Sequence, residues 1–174
     1  ATKASFFEKL SSDYDTGNIN KKFRTSVINV DDPNYSAILS KTHTKIITYG
    51  LYNKTAMIIA KNLKTCTKGT TFTAQTPRGS FSVFLNLKGI FNVYNALAAI
   101  SCAFIAGLDF KTIASGLKSL PGVPGRFESI DGGQEFQVIV DYAHTPDSLE
   151  NILKEARNLG SGDLTVVFGC GGDR

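Results

Sequence analysis

Residues 136–149 read FQVIVDYAHTPDSL, and this stretch decides the fold class. Residues 136–140 form an apolar run, which is typical of a buried strand. Thr145, Pro146 and Asp147 then give the pattern of a helix N-terminus, because the hydroxyl caps the first turn and proline fits the first helical position. Apolar residues continue at helical spacing to Gly160. The sequence therefore predicts a strand that leads directly into an amphipathic helix.

A second apolar run follows that helix at residues 164–168. A strand, a helix and a second strand in so short a stretch predict a βαβ unit with parallel strands and a right-handed crossover. The segment GCGGDR, residues 169–174, comes directly after the second predicted strand. Open α/β sheets bind ligands at the carboxyl ends of their strands, so this is a candidate binding loop.

The sequence upstream predicts a mixed sheet with helices, so the fold class as a whole is α/β. Short apolar or alternating runs predict strands at residues 25–30, 45–49, 56–60, 70–75 and 80–87. From Asn92 the apolar period becomes 3.6, which predicts a buried helix, and Asp109 is placed to cap a second helix that ends near residue 120. The first residues, 3–11, read as the end of a helix, so we expect the chain to be a piece of a longer protein.

A domain boundary is expected near the segment PGVPG at residues 121–125. Residues 1–123 carry fifteen basic and six acidic side chains, and residues 124–174 carry four and nine. A shift of composition at a Pro/Gly cluster is typical of a boundary between domains. We therefore predict one domain over residues 1–123 and the start of another over 124–174.

Composition excludes several classes of protein. The chain is 42% hydrophobic and 20% charged, which is typical of a globular domain, and no stretch approaches the roughly 20 apolar residues of a membrane span. Three separated cysteines and two histidines favour neither a disulfide framework nor a zinc site. The lysines are scattered, which disfavours nucleic acid as a partner. We expect a cytoplasmic protein.

Several polar residues are candidates for a site. Asp141, Tyr142 and His144 follow a predicted strand beside a helix N-terminus, a place that suits a ribose and a phosphate; alternatively, Asp141 caps the turn and His144 is a solvated loop residue. Arg126 is expected either in a structural salt bridge or on a phosphate or ribose. Arg174 suits the bidentate binding of a carboxylate.

Taken together, these segments resemble the Mur ligases, and within that family the MurE type, which adds the third amino acid to UDP-N-acetylmuramoyl-L-alanyl-D-glutamate. The segments that carry the resemblance are INVDDP (28–33), TYG (48–50), GIFNVYNALAA (89–99), PGRFE (124–128), DYAHTPDSL (141–149) and FGCGGDR (168–174). They span nearly the whole chain. The resemblance implies the second half of a central ATPase domain over 1–123, followed by the first βαβ part of a Rossmann-like C-terminal domain over 124–174.

The activity that the resemblance implies is ATP-dependent amide-bond formation with Mg²⁺. ATP phosphorylates the acceptor carboxylate, and the incoming amine attacks the resulting acyl phosphate. The substrates are a UDP-muramyl dipeptide and a free amino acid, with meso-diaminopimelate favoured over L-lysine, and the protein is expected to be a monomer without a nucleic-acid partner or a membrane span. The alternatives are a Mur-like scaffold protein without activity and a related folylpolyglutamate or cyanophycin ligase.

The resemblance also implies roles for individual residues. Lys3 corresponds to the lysine that the family converts to a carbamate, which is a catalytic group and an oxygen ligand of Mg²⁺, although a lone helix lysine is otherwise solvated. Asn92 and Asn95 resemble the asparagines on the adenine side of the nucleotide, although asparagine near a helix start usually acts only as a cap.

Arg126 resembles the hinge arginine near the nucleotide, and Asp141 the carboxylate that binds the ribose, with Tyr142 and His144 beside it. Arg174 resembles the arginine that meets the incoming amino acid. The family's P-loop, its upstream Mg²⁺-binding Glu and His, and its amino-acid-selecting D-N-P-R segment do not occur in residues 1–174, so we expect no catalysis from this piece alone.

Overall fold

The computed structural model describes residues 2–15, 24–66 and 68–169. Contacts divide the chain into two compact units, residues 1–120 and 121–174. The first unit holds the helices α1 (Thr2–Asp15), α2 (Tyr35–Leu39), α3 (Ile90–Ile105) and α4 (Phe110–Ser119), and the strands β1 (Thr25–Asn29), β2 (Lys45–Gly50), β3 (Ile58–Cys66), β4 (Gly69–Thr76) and β5 (Gly79–Leu85).

The five strands of the first unit form one sheet in the order of the chain. β1, β2 and β3 are parallel, whereas β3, β4 and β5 form an antiparallel meander. The prediction of a mixed sheet is therefore confirmed. The carboxyl ends of β1 and β2 lie at the same edge, since Asn29 is paired with Tyr49.

The core of the first unit lies between the sheet and α3. Val93, Leu97 and Ile100 are fully buried along one stripe of α3, as the helical period predicted, and they belong to the same cluster as Ile58 and Val83 of the sheet. Apolar burial of this kind contributes roughly 1.5–3 kcal/mol for each large aliphatic side chain. The core thus fixes α3 on the sheet.

The second unit contains β6 (Glu128–Ile130), β7 (Val138–Val140) and α5 (Pro146–Asn158). α5 begins as predicted: Thr145 accepts a hydrogen bond from the Ser148 amide in a capping box, and Pro146 occupies the first turn. The short strand β6 was not predicted; it pairs with β7 in antiparallel fashion.

The second strand of the predicted βαβ unit is not formed. Residues 164–168 carry no strand hydrogen bonding, and Val167 and Phe168 are 95% and 73% exposed. A strand needs a neighbouring backbone edge, and in the described part of the chain β7 is hydrogen-bonded as a strand to β6 alone. Residues 164–169 instead line a cavity of about 320 Å³ against α5 and the end of β7.

Candidate functional site

The loop at residues 123–127 has an unusual backbone. Gly125 and Phe127 both have positive φ values, 67° and 50°. A positive φ suits glycine but strains a bulky residue, and such strain is typical of functional loops. The Glu128 carboxylate accepts a hydrogen bond from the Gly125 amide at 2.8 Å, and the Arg126 amide donates to the Val123 carbonyl at 3.0 Å. These bonds hold the loop in its strained form.

Asp141, at the end of β7, ties this loop to the strand. Its Oδ2 accepts a hydrogen bond from the Phe127 amide at 2.7 Å, and its Oδ1 accepts one from the Ala143 amide at 2.8 Å. The Tyr142 amide donates to the Gly125 carbonyl at 2.8 Å. The turn-capping alternative for Asp141 is therefore observed. Because a carboxylate offers about four acceptor positions, these two bonds leave capacity for a ligand hydroxyl.

Three exposed side chains lie beside Asp141. The Arg126 guanidinium carbon lies 5.6 Å from the centre of the Tyr142 ring, and the Tyr142 and His144 rings meet edge to face at 5.0 Å. Nδ1 of His144 is 2.9 Å from the Tyr142 carbonyl oxygen. The structure thus brings together Arg126, Asp141, Tyr142 and His144, next to the N-terminus of α5. Such a group offers a cation, aromatic surfaces and a positive helix end, which suit a phosphorylated ligand.

A second set of predicted residues lies in the first turns of α3. Asn92 is 3% exposed, and its side-chain Nδ2 donates to the Lys88 carbonyl at 2.8 Å. Asn95 is exposed and donates to the Asn92 side-chain oxygen at 3.3 Å. Asn92 is therefore partly engaged at the helix start, and Asn95 is the member of the pair that a ligand can reach.

Two predicted residues fall wholly or partly outside the described part of the chain. Arg174 lies outside the described residues, and of Lys3 the structure describes only its position in α1. Among the residues that are described, no group of three His, Cys, Asp or Glu side chains is arranged to hold a metal ion.

Sequence reasoning missed a carboxylate in the first unit. Asp31 follows β1, and its side chain accepts hydrogen bonds from the backbone amides of Leu51, Tyr52 and Asn53 at 2.5, 3.1 and 2.8 Å. The Tyr94 hydroxyl donates to the same carboxylate at 2.9 Å. The signal in the sequence was an acid directly after a predicted strand, inside the segment INVDDP (28–33), to which no role in a site was assigned.

The contacts of Asp31 and Tyr94 shift the pKa values of the two groups in opposite directions. Burial raises the pKa of Asp31, but the three backbone amides and the Tyr94 hydroxyl outweigh it, so the pKa lies below its ordinary value. Burial, together with the hydrogen bond to Asp31 and its charge, raises the pKa of Tyr94 well above 10.0. At neutral pH the pair is therefore a carboxylate and a neutral phenol donor.

A larger cavity, of about 580 Å³, lies against β3, β4, β5 and α4 and contains none of the predicted site residues. Within the described ranges, no helix has the length and apolar character needed to cross a membrane.

Comparison with known proteins identifies the family on both units. The Mur ligase middle domain matches residues 1–103, and the Mur ligase glutamate ligase domain matches residues 125–174. A UDP-N-acetylmuramoyl-L-alanyl-D-glutamate–2,6-diaminopimelate ligase from Bacillus licheniformis is 52% identical over 149 residues, which cover 86% of this chain and 30% of that ligase.

Solved structures agree with this match. A structure of UDP-N-acetylmuramoyl-L-alanyl-D-glutamate–2,6-diaminopimelate ligase is similar with a TM-score of 0.66 and 39% identity, over 86% of this chain and 32% of that one. Folylpolyglutamate synthetase from Lactobacillus casei gives a TM-score of 0.67 at 20% identity, over 85% of this chain and 38% of that one, and this shows a common fold alone.

This chain spans about a third of the length of the diaminopimelate ligases that it matches. The middle-domain match takes in more than half of its residues. The resemblance stated from the sequence is thereby confirmed, and the chain belongs to the Mur ligase family.

Proposed function

We propose that the protein containing this chain is an ATP-dependent ligase that joins meso-diaminopimelate to UDP-N-acetylmuramoyl-L-alanyl-D-glutamate in peptidoglycan synthesis. The observation that carries the proposal is the 52% identity to a ligase named for this substrate and amino acid. In this proposal residues 1–123 are the second half of the central ATP-binding domain, and residues 124–174 begin the C-terminal domain. The protein acts in the cytoplasm as a monomer.

The proposed reaction has two steps. An oxygen of the D-glutamate carboxylate attacks the γ-phosphorus of ATP, and ADP leaves. The amine of the amino acid then attacks the acyl carbon, loses a proton and expels inorganic phosphate. The negative charge that develops in both steps favours sites with cations and hydrogen-bond donors.

ATP is proposed to bind at the side chains that the second unit brings together, namely Arg126, Asp141, Tyr142 and His144. Asp141 accepts a hydrogen bond from a ribose hydroxyl. It does so at the acceptor positions of its carboxylate that the Phe127 and Ala143 amides leave free. Arg126 supplies a positive charge near the phosphates, and Tyr142 and His144 border the same surface. Support comes from their mutual contacts and from the strained loop that presents Arg126.

On α3, Asn95 is proposed to hydrogen-bond the adenine, because its side chain is exposed. The buried Asn92 orients it through the 3.3 Å hydrogen bond between their side chains. The two roles differ because Asn92 is only 3% exposed and has little surface for a ligand.

Lys3 is proposed to carry the carbamate, and Arg174 to bind the incoming amino acid. A neutral lysine amine adds to carbon dioxide and loses a proton, which replaces a cation by an anionic oxygen ligand. Mg²⁺ is commonly held by one or two protein oxygens together with phosphate oxygens and water, so a single carbamate is a sufficient contribution from this chain. When bound, Mg²⁺ would stabilise the negative charge of the phosphates.

The proposal is tested by the release of inorganic phosphate. The full-length protein is incubated with ATP, Mg²⁺ and UDP-N-acetylmuramoyl-L-alanyl-D-glutamate, with meso-diaminopimelate in one reaction and L-lysine in another. We expect release that depends on meso-diaminopimelate. Release only with L-lysine would change the assigned amino acid, and a folded protein that is inactive in both would support the scaffold alternative. Activity with a folate acceptor instead would support the folylpolyglutamate alternative.

A further inference from the structure

Asp31 joins three segments of the first unit that are distant in sequence. Its carboxylate receives the amides of residues 51–53, which follow β2, and the hydroxyl of Tyr94, in α3. Asp31 itself follows β1. One side chain thus connects the carboxyl ends of two parallel strands to the helix that carries Asn92 and Asn95.

The surroundings of the carboxylate fit it closely. A Cβ added to Gly50 would lie 3.0 Å from both carboxylate oxygens, so any larger residue at that position would crowd them. The Asn53 side chain donates to the Val30 carbonyl at 3.3 Å, which draws the same loop towards the end of β1. The Asp31 amide donates to the Asn29 side-chain oxygen at 3.0 Å. These contacts hold the Asp31 carboxylate in a single position.

Tyr94 lies between Asn92 and Asn95 in the sequence of α3. Because α3 is rigid, a contact made by the Tyr94 side chain also restrains the neighbouring residues Asn92 and Asn95. Val93 and Leu97, on an adjacent strip of the helix surface, are buried in the core and fix the same turn. Removing the Tyr94 hydroxyl leaves that packing in place and removes only the polar anchor.

We propose that Asp31 and Tyr94 are positioning residues for nucleotide binding, which hold the first turns of α3 so that Asn95 faces the adenine. The inference rests on the proposed function, because it assigns ATP to Asn95. Neither residue is proposed to touch the reacting atoms. Their effect should therefore appear in the affinity for ATP rather than in the rate of the chemical steps.

The test uses Tyr94→Phe, Asp31→Asn and the double variant in the full-length protein. We expect Tyr94→Phe to raise the KM for ATP roughly tenfold, the effect of losing one charge-assisted hydrogen bond. Asp31→Asn should raise it at least as much, because an asparagine NH₂ group also faces the backbone amides of residues 51–53. In both variants kcat should change less than twofold. The double variant should resemble Asp31→Asn, because the bond to the Tyr94 hydroxyl is one of those that the Asp31 substitution already perturbs. Tyr35→Phe, in α2 and outside this cluster, is the matched control and should leave both constants unchanged.

The outcomes separate this inference from the proposed function. If the wild-type protein neither binds nor hydrolyses ATP, both fail. If the wild type shows the ligase reaction, and folded Tyr94→Phe has the wild-type KM for ATP or loses kcat alone, only the positioning inference fails. Because Tyr94→Phe keeps the ring, it tests the inference even if Asp31→Asn does not fold.

Discussion

Asp141 is the residue on which the strained loop before β6 depends. Its position at the carboxyl end of a strand could be predicted from sequence, because an apolar run and a helix start enclose it. Its partner could not: the Phe127 amide lies fourteen residues earlier, and no local pattern indicates that pairing. The position of the Asp141 carboxylate was thus predictable. Its bond to the Phe127 amide was not, because that bond depends on the antiparallel pairing of β6 with β7.

Asp141→Asn is expected to weaken ATP binding. An asparagine amide keeps one acceptor oxygen but turns an NH₂ group towards a backbone N–H, so one of the two bonds to Phe127 and Ala143 is lost. We expect the KM for ATP to rise roughly tenfold or more, which is the effect of one hydrogen bond to a charged group. Asp163→Asn, at an exposed position, is the control. An unchanged KM in a stable Asp141→Asn protein would contradict the ribose assignment.

The Asp31 carboxylate makes stability depend on pH. Because its pKa is lowered in the folded state, its contribution is present above the ordinary value of 3.8 and is lost as the pH falls through the lower folded value. In urea unfolding between pH 7 and pH 3, the wild type should therefore lose more stability than Asp31→Asn. Parallel curves for the two proteins would show that Asp31 is not stabilised in this way.

At the scale of elements, sequence patterns predicted those segments that carry an apolar stripe or a capping signal. α3 was predicted from its apolar stripe, and α5 from its cap and its proline. β3 was predicted too short, because residues 61–65 are exposed and show no apolar alternation; a β-bulge between Lys61 and Lys64 interrupts the pairing there. The strand at residues 164–168 was wrong because an apolar run does not reveal whether a neighbouring strand edge is available.

The junction between α3 and α4 is expected to depend on Arg78. Its guanidinium donates to the carbonyls of Phe104 and Leu108 at 3.3 Å and lies 4.2 Å from the centre of the Phe104 ring. Arg78→Lys retains the positive charge but loses the planar guanidinium, which donates to both carbonyls and lies against the Phe104 ring. We expect a loss of about 1–2 kcal/mol in the free energy of unfolding. Lys61→Ala, an exposed position on β3, should have no such effect; equal stability of the two variants would argue against this role.

The capping box of α5 is testable with Thr145→Ala. This change removes the acceptor of the Ser148 amide and leaves Pro146 in place. We expect a loss of about 1 kcal/mol, the usual effect of removing an N-cap side chain, seen as faster amide hydrogen exchange in the first turn of α5. Ser161→Ala is the control. Unchanged exchange in Thr145→Ala would show that the cap does not stabilise the turn.

At the scale of the whole molecule, the predicted site residues are distributed over both units, whose net charges are opposite. The family match to both units, and not any one motif, supports the assignment. Charge, composition and the Pro/Gly cluster predicted a boundary near residue 123, which stays part of the proposal. The roles of Lys3 and Arg174 rest on resemblance, since the structure shows neither side chain.

Lys3→Ala in the full-length protein is expected to lower the rate of phosphate release at least about 100-fold, because the proposed carbamate supplies a metal ligand. A small carboxylate added to the solution should restore part of the rate by supplying the missing oxygen ligand. Lys9→Ala, also in α1 and exposed, should keep the full rate. An active Lys3→Ala protein would show that Lys3 is an ordinary helix lysine.

The transfer of oxygen from the acceptor to phosphate tests the central claim most directly. Both oxygens of the terminal D-glutamate carboxylate of UDP-N-acetylmuramoyl-L-alanyl-D-glutamate are labelled with ¹⁸O. This substrate is incubated with the full-length protein, ATP, Mg²⁺ and meso-diaminopimelate. An acyl phosphate carries one carboxylate oxygen into the phosphate that the amine expels, so the phosphate should contain one ¹⁸O for each amide formed. Amide formation with unlabelled phosphate would contradict the proposed mechanism.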